Sequence, residues 1–160
     1  MSGPPRRGSR GGSGLAAEME DRLQDDELAA VVTSDLARAV EIVEIAFAGS
    51  EVPVLADWRL RECDDGDLNG ASGDAVHDDR EERLSVPYPG GESWSQAVDR
   101  AAGPLRDLPR RWSGQRVLVV GRVGTRWALD HHLRGIAPET LAARDAEGFT
   151  WQPGGEYALA

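Results

Sequence analysis

The 160-residue sequence predicts an α/β fold, with helices packed on a sheet of short strands. Three observations predict it. Short apolar runs at Leu28–Val32, Val52–Leu55 and Val117–Val120 have the length and composition of buried strands. After the first of them, Leu36, Ala39, Val40, Val43 and Phe47 recur at helical spacing on one face, and Gly49 follows. The third is the stretch Arg116-Val-Leu-Val-Val-Gly-Arg-Val-Gly-Thr-Arg-Trp-Ala-Leu-Asp130. There a strand runs through Gly121 and Gly124 into a helix spaced from Thr125 to Leu133, with Trp127, Ala128 and Leu133 near one face and Gly135 as its stop. Such a turn lies at a strand's carboxyl end, and the helix start offers unpaired N–H groups to an anion.

Taken in order, residues 1–14 are Gly, Ser, Pro and Arg with nothing to bury, and they read as a disordered tail ahead of one domain at 15–160. Leu15, Met19 and Leu23 are spaced by four, as in a short amphipathic helix. Ser34 is placed to cap the helix that follows the first strand. After the second strand, residues 58–70 are polar and Gly-punctuated. Asp65-Gly-Asp-Leu-Asn-Gly70 imitates the opening of a calcium loop, but its twelfth position is Val76, which cannot supply the bidentate carboxylate, and no helix enters it. The acidic run 71–86 reads as a solvated insert; its His77 has no second His or Cys at ligand spacing. Pro89-Gly-Gly-Glu-Ser is a turn leading into a helix cap, and Val98, Ala101, Leu105 and Leu108 continue that helix. Gly103-Pro104 within it predicts a kink or a break, since an interior Pro costs about 3 kcal/mol. His131-His132 falls inside the last strong helix as surface or satisfied histidine. A short helix from Pro138 to Arg144 follows, and Phe149–Trp151 with Glu156–Leu159 reads as two strands around a turn.

Composition bounds the function. The net charge of −10 argues against nucleic acid, whose backbone demands a basic face. All 18 basic residues are Arg. The single cysteine excludes an intramolecular disulfide and fits a reducing compartment. No apolar run nears the ~20 residues of a membrane span, and no secretory signal opens the chain, so a cytoplasmic location is expected.

Four segments, in this order along the chain, carry a resemblance. VLVVGRVGTRWAL is similar to the second active-site segment of the histidine phosphatase superfamily, the phosphoglycerate-mutase-like proteins. In that family the strand ends in Gly-His; here the His position is Arg122. Thr33-Ser-Asp-Leu-Ala-Arg-Ala resembles the segment whose Arg clamps the substrate phosphate, which matches Arg38; read alone, Arg38 is a surface residue within reach of Glu41 or Glu44. Leu60-Arg-Glu resembles the family's Leu-x-Glu, whose Glu protonates the leaving group, and this is Glu62. Pro89-Gly-Gly-Glu-Ser resembles the Pro-x-Gly-Glu-Ser beside the active site, which puts Glu92 and Ser93 at the pocket.

The resemblance implies a three-layer α/β/α sandwich and phosphoryl transfer, in which one His attacks phosphorus while Arg side chains and a second His stabilise the equatorial oxygens. It implies a phosphorylated small molecule or inorganic phosphate as ligand, and neither cofactor nor metal. Gly121, Arg122 and Thr125 at the helix start, with Arg38, would form the phosphate site. The family's nucleophilic His stands in an Arg-His-Gly that ends a hydrophobic first strand central to the sheet. Arg6-Arg7-Gly8 follows Met-Ser-Gly-Pro-Pro and is no match, so that strand and its His are expected to be missing. Arg cannot replace the His as nucleophile because its guanidinium stays protonated. Three functions follow as alternatives: a degenerate domain that binds a phosphorylated ligand with little or no turnover, an active phosphomonoesterase whose nucleophile segment is missing from this version of the chain, and a nucleotide-binding α/β module, although neither G-x-G-x-x-G nor a P-loop is present.

Overall fold

The structure is a computed structural model that describes residues 27–70, 80–146 and 155–159. The predicted tail, the helix at 15–23, His77 and the strand at 149–151 lie outside the described residues. Strand β1 (Leu28–Thr33) is followed by helix α1 (Ala37–Ala46) and strand β2 (Val54–Ala56). Two short 3-10 turns, Trp58–Leu60 and Gly66–Leu68, shape the loop that comes next. Helix α2 (Trp94–Arg111), strand β3 (Arg116–Val120), helix α3 (Val123–Arg134) and helix α4 (Pro138–Ala146) complete the order.

The three strands are parallel in the order β2-β1-β3. Val32 belongs to the main hydrophobic cluster together with Trp94, Val98, Leu105, Trp127 and Ala128 of α2 and α3, and Leu55, Val117 and Val119 pack against it. Strand alternation turns Val31 to the opposite face, where α1 packs on β1 and β2 and its Val43 is fully buried like Val31. Helices therefore cover both faces, as expected of a three-layer α/β/α sandwich.

The local departures from expectation have physical causes. Ser34 does not cap α1: the residue ahead of the helix is Leu36, with no side-chain cap, and Ser34 is buried at the strand's end. Of the kink or break expected at Gly103-Pro104, the break does not occur: α2 is one continuous helix that keeps two interior prolines, Pro104 and Pro109. Its apolar face holds it in place: Trp94, Ala97, Val98, Ala101, Ala102, Leu105 and Leu108 are all buried, and that burial outweighs the hydrogen bonds the prolines remove. A capping box starts it, with Gln96 N–H donating to Ser93 Oγ at 3.2 Å and Ser93 N–H donating to Gln96 Oε1 at 2.8 Å. Helix α3 ends where Gly135 turns left-handed at φ 68°, but Leu133 faces outward, 41% exposed. Residues 155–159 form no strand. They lie as a strap instead, with Tyr157 Oη donating to the buried Asp130 at 3.0 Å and Leu159 against the core.

Trp127 is the largest fully buried side chain; its ring lies 4.9 Å from that of Trp94, and its Nε1 donates to Asp145 at 3.1 Å. Trp127→Ala should cost about 3–5 kcal/mol in urea unfolding, and Leu133→Ala on the same helix should cost much less; equal losses would mean that the core is not where it is placed here.

Candidate functional site at the carboxyl edge of the sheet

Thr33 is in register with Ala56 on one side and Val120 on the other, so the three strands stop at one level. The chain leaves that edge in three adjacent segments: 34–36 leading into α1, 57–64 after β2, and 121–122 leading into α3. Two ion pairs join them. Arg122 Nε donates to Glu62 Oε2 at 2.8 Å, linking the third segment to the second. Arg61 forks onto Asp35 with both contacts at 2.6 Å, linking the second to the first, and this contact holds the Asp35 carboxyl below its ordinary pKa.

The turn from β3 into α3 is shaped by one close approach. A Cβ at Gly121 would overlap the Thr125 side chain, which is 4% exposed and whose Oγ1 accepts from Arg122 N–H at 3.4 Å. The residue before α3 is Arg122 itself, in extended conformation. Its side chain therefore stands at the positive end of the helix. Only Nε is engaged by Glu62, and both Nη groups are without partners among the described residues. Arg38, in the first turn of α1, is exposed and likewise makes no hydrogen bond or ion pair among the described residues; the surface pairing with Glu41 or Glu44 is not formed. Glu62 keeps one oxygen, Oε1, buried with no hydrogen-bond partner.

Glu92 and Ser93 are placed differently from the other five sequence-derived site residues. Ser93 is the buried cap of α2, and both carboxylate oxygens of Glu92 are held by Arg100, at 2.7 Å each. The segment Pro89-Gly-Gly instead packs against the loop after β2. Asp67 N–H donates to Pro89 O at 2.9 Å and Glu92 N–H to Asp64 O at 2.8 Å, and a Cβ at either Gly66 or Gly91 would run into backbone of the other segment. The calcium-loop imitation is absorbed here too, since Asp64 Oδ1 accepts from Gly66 N–H and Asn69 Nδ2; no group of metal-binding side chains occurs among the described residues.

Sequence reasoning missed Asp35, Arg61 and Arg100. Asp35 and Arg61 are distant in sequence and carry no pattern that announces their pairing. Arg100 had a signal: it lies one turn from Ala97 and one turn from Pro104, a charge on an apolar helix face.

Among the described residues no histidine stands at this edge. Cys63 adjoins Glu62, but burial, and then the nearby Asp65, Glu92 and Glu62, push its thiol up to about 12, so it stays protonated at neutral pH. His131 and His132 are at the far end of α3, roughly 12 Å along the axis from its start. His131 Nδ1 is 2.9 Å from Ile136 O, and burial lowers the pKa of His132.

Residues 9–148 match the model of the histidine phosphatase superfamily (branch 1). The chain belongs to that superfamily. Its curated relatives include 2,3-bisphosphoglycerate-dependent phosphoglycerate mutases of Methylobacterium sp. (strain 4-46), 37% identical over 57% of this chain and 49% of that protein, and of Methylorubrum populi, 32% identical over 76% of this chain and 64% of that protein. The chain thus spans about half to two thirds of the length of these relatives. Among solved structures it is similar to Bacillus stearothermophilus YhfR, with a TM-score of 0.73 at 28% identity over 83% of this chain and 70% of that one. A mycobacterial glucosyl-3-phosphoglycerate phosphatase solved with VO3 shares the fold, with a TM-score of 0.71 at 23% identity over 84% of this chain and 73% of that one. Among the described residues no helix is long and apolar enough to cross a membrane.

The raised Cys63 pKa fixes a pH dependence. A thiol favoured in its neutral form stabilises the fold fully below its unfolded pKa of roughly 8.5 and loses that contribution as pH climbs toward 12. Native protein should react slowly with a thiol reagent at pH 8 and rapidly once unfolded in urea, and stability should fall between about pH 9 and 12 more steeply than in Cys63→Ala; fast native labelling would contradict the placement of this residue.

Proposed function

We propose that this histidine phosphatase superfamily protein binds a phosphorylated small molecule, or inorganic phosphate, at the carboxyl edge of the sheet with little or no turnover. The Arg122–Glu62 ion pair is the observation that carries this reading. The resemblance assigns Glu62 to protonation of the leaving group and Arg122 to the place of the second His. A guanidinium keeps its protons, so Arg122 can hold an anion but cannot accept or relay a proton. With Arg122 on one oxygen of Glu62, this carboxylate serves to aim the guanidinium.

Binding has the parts it needs. The Nη groups of Arg122 offer donors in a plane that suits a bidentate phosphate contact. The first N–H groups of α3 lie beside them and favour an anion, and Arg38 supplies a second cation that no carboxylate among the described residues pairs with. Among the described residues, neither Cys63 nor the histidines of α3 are placed to serve as nucleophile at this edge.

Orthovanadate or phosphate at about ten times its Kd stabilises a one-site protein by about 1.4 kcal/mol, which should raise the melting temperature by a few degrees. Arg122→Met, together with Arg38→Met, should remove that shift while leaving the fold intact by circular dichroism. Purified protein should release no phosphate from an aryl phosphate above the buffer rate. Hydrolysis that disappears in Glu62→Gln would overturn the proposal in favour of an active phosphomonoesterase, and a shift by ATP but not by phosphate would favour a nucleotide site.

A further inference from the structure

The segment that carries Glu62 has no regular structure beyond one 3-10 turn, so something outside it must set its backbone. Arg100 reaches it from α2. The guanidinium has five N–H donors, and each has an acceptor. Nε and Nη2 donate to the two oxygens of Glu92, at 2.7 Å each. Nη1 donates to the carbonyls of Arg59 and Arg61, at 2.7 and 3.1 Å, and Nη2 also donates to the carbonyl of Glu62 at 3.0 Å. The Arg100 side chain is 11% exposed, so these contacts are largely shielded from water. Glu92 completes the frame: its Oε2 accepts from Asp64 N–H at 3.2 Å, and its own N–H donates to Asp64 O at 2.8 Å.

Two of the three residues gripped by their carbonyls, Arg61 and Glu62, are those whose side chains join the three segments. Arg61 is held at its carbonyl, and its guanidinium reaches Asp35; Glu62 is held at its carbonyl, and its carboxylate reaches Arg122. The anchor is firm, because Ala97, Val98, Ala101 and Ala102 on the adjoining turns of α2 are 1–2% exposed. We infer that Arg100 is a positioning residue of the anion site, acting through the 59–64 backbone to set the Glu62 carboxylate against Arg122. The inference rests on the reading of Glu62 and Arg122 as that site, but the geometry it asserts exists without a ligand. A lysine could keep the pair with Glu92, yet its three donors cannot meet five acceptors in one plane.

The test reads the Arg122 Nε–H by nitrogen-15 NMR at mildly acidic pH, in the full chain without ligand. The signal is assigned by its loss in Arg122→Met and its exposed-type shift in Glu62→Ala. In Arg100→Met, kept below its melting temperature, the signal should move to the exposed position or broaden away. Leu105→Ala, a core truncation on the same helix, should lower stability and leave the signal in place. Phosphate affinity should fall about tenfold or more in Arg100→Met and by a smaller factor in Arg100→Lys, while Leu105→Ala binds as the wild type does. An Arg122 signal unchanged in folded Arg100→Met would overturn the inference. Should Arg100→Met fail to fold, Arg100→Lys decides: faster amide exchange at residues 61–64 than in Leu105→Ala supports the inference, and unchanged exchange overturns it. If wild-type protein binds neither phosphate nor vanadate, the functional reading fails by itself, and the ligand-free signal still decides the role of Arg100.

Discussion

The register of three parallel strands is the constraint on which everything at this site depends. Parallel strands point their carboxyl ends the same way, and here Thr33, Ala56 and Val120 share one level. Three loops must then leave the sheet side by side, which brings polar side chains of neighbouring loops within reach of one another. The ion pairs of Arg61 with Asp35 and Arg122 with Glu62 make use of that proximity. Neither pair would order a loop if the strands slipped by one residue, because a slip also turns each side chain to the opposite face.

A second constraint comes from glycine. Backbone of the loop after β2 lies directly against backbone of the turn before α2, and the approach is so close that Gly66 and Gly91 have no room for a Cβ. This contact lets α2, anchored in the core by Trp94, support a loop with little regular structure of its own. Arg100 and Glu92 extend the same contact with side chains. The rigidity of the Glu62 segment is thus borrowed from the hydrophobic core, through two glycines and one guanidinium.

Much of this was legible in the sequence. The strands at Val117–Val120 and Leu28–Val32 are apolar runs bounded by turn residues, and the stop at Gly135 needs only the left-handed conformation that glycine adopts freely. The positions of Arg38, Glu62, Gly121, Arg122 and Thr125 at one edge follow from strand direction once the strands are known to be parallel. Other features were out of reach of local pattern. Intact passage of α2 through Pro104 and Pro109 depends on how much apolar surface tertiary packing buries, which a propensity cannot express. The helix cap after Pro89-Gly-Gly was legible, but the capture of Glu92 by Arg100 was hidden behind a segment similarity, which marks where a residue stands but not which way its side chain turns. The pairing of Asp35 with Arg61 joins elements whose sequence separation leaves no periodic trace.

Charge provides the last link between this geometry and an anionic ligand. A chain of net charge −10 repels phosphate at long range, but at physiological ionic strength that repulsion is screened beyond about 8 Å. What matters is the balance within the site. Across the three segments and Arg38 the formal charges balance, with Asp35, Asp57, Glu62 and Asp64 against Arg38, Arg59, Arg61 and Arg122, beside the partial positive charge at the start of α3. On the proposed reading, an anion is held by the local donors of Arg122 and the start of α3 and not by a net positive charge. On the same reading, a guanidinium at position 122 suits this edge to holding charge and not to moving protons. The carboxylate of Glu62, fixed from behind by Arg100, is then what keeps the guanidinium of Arg122 in place.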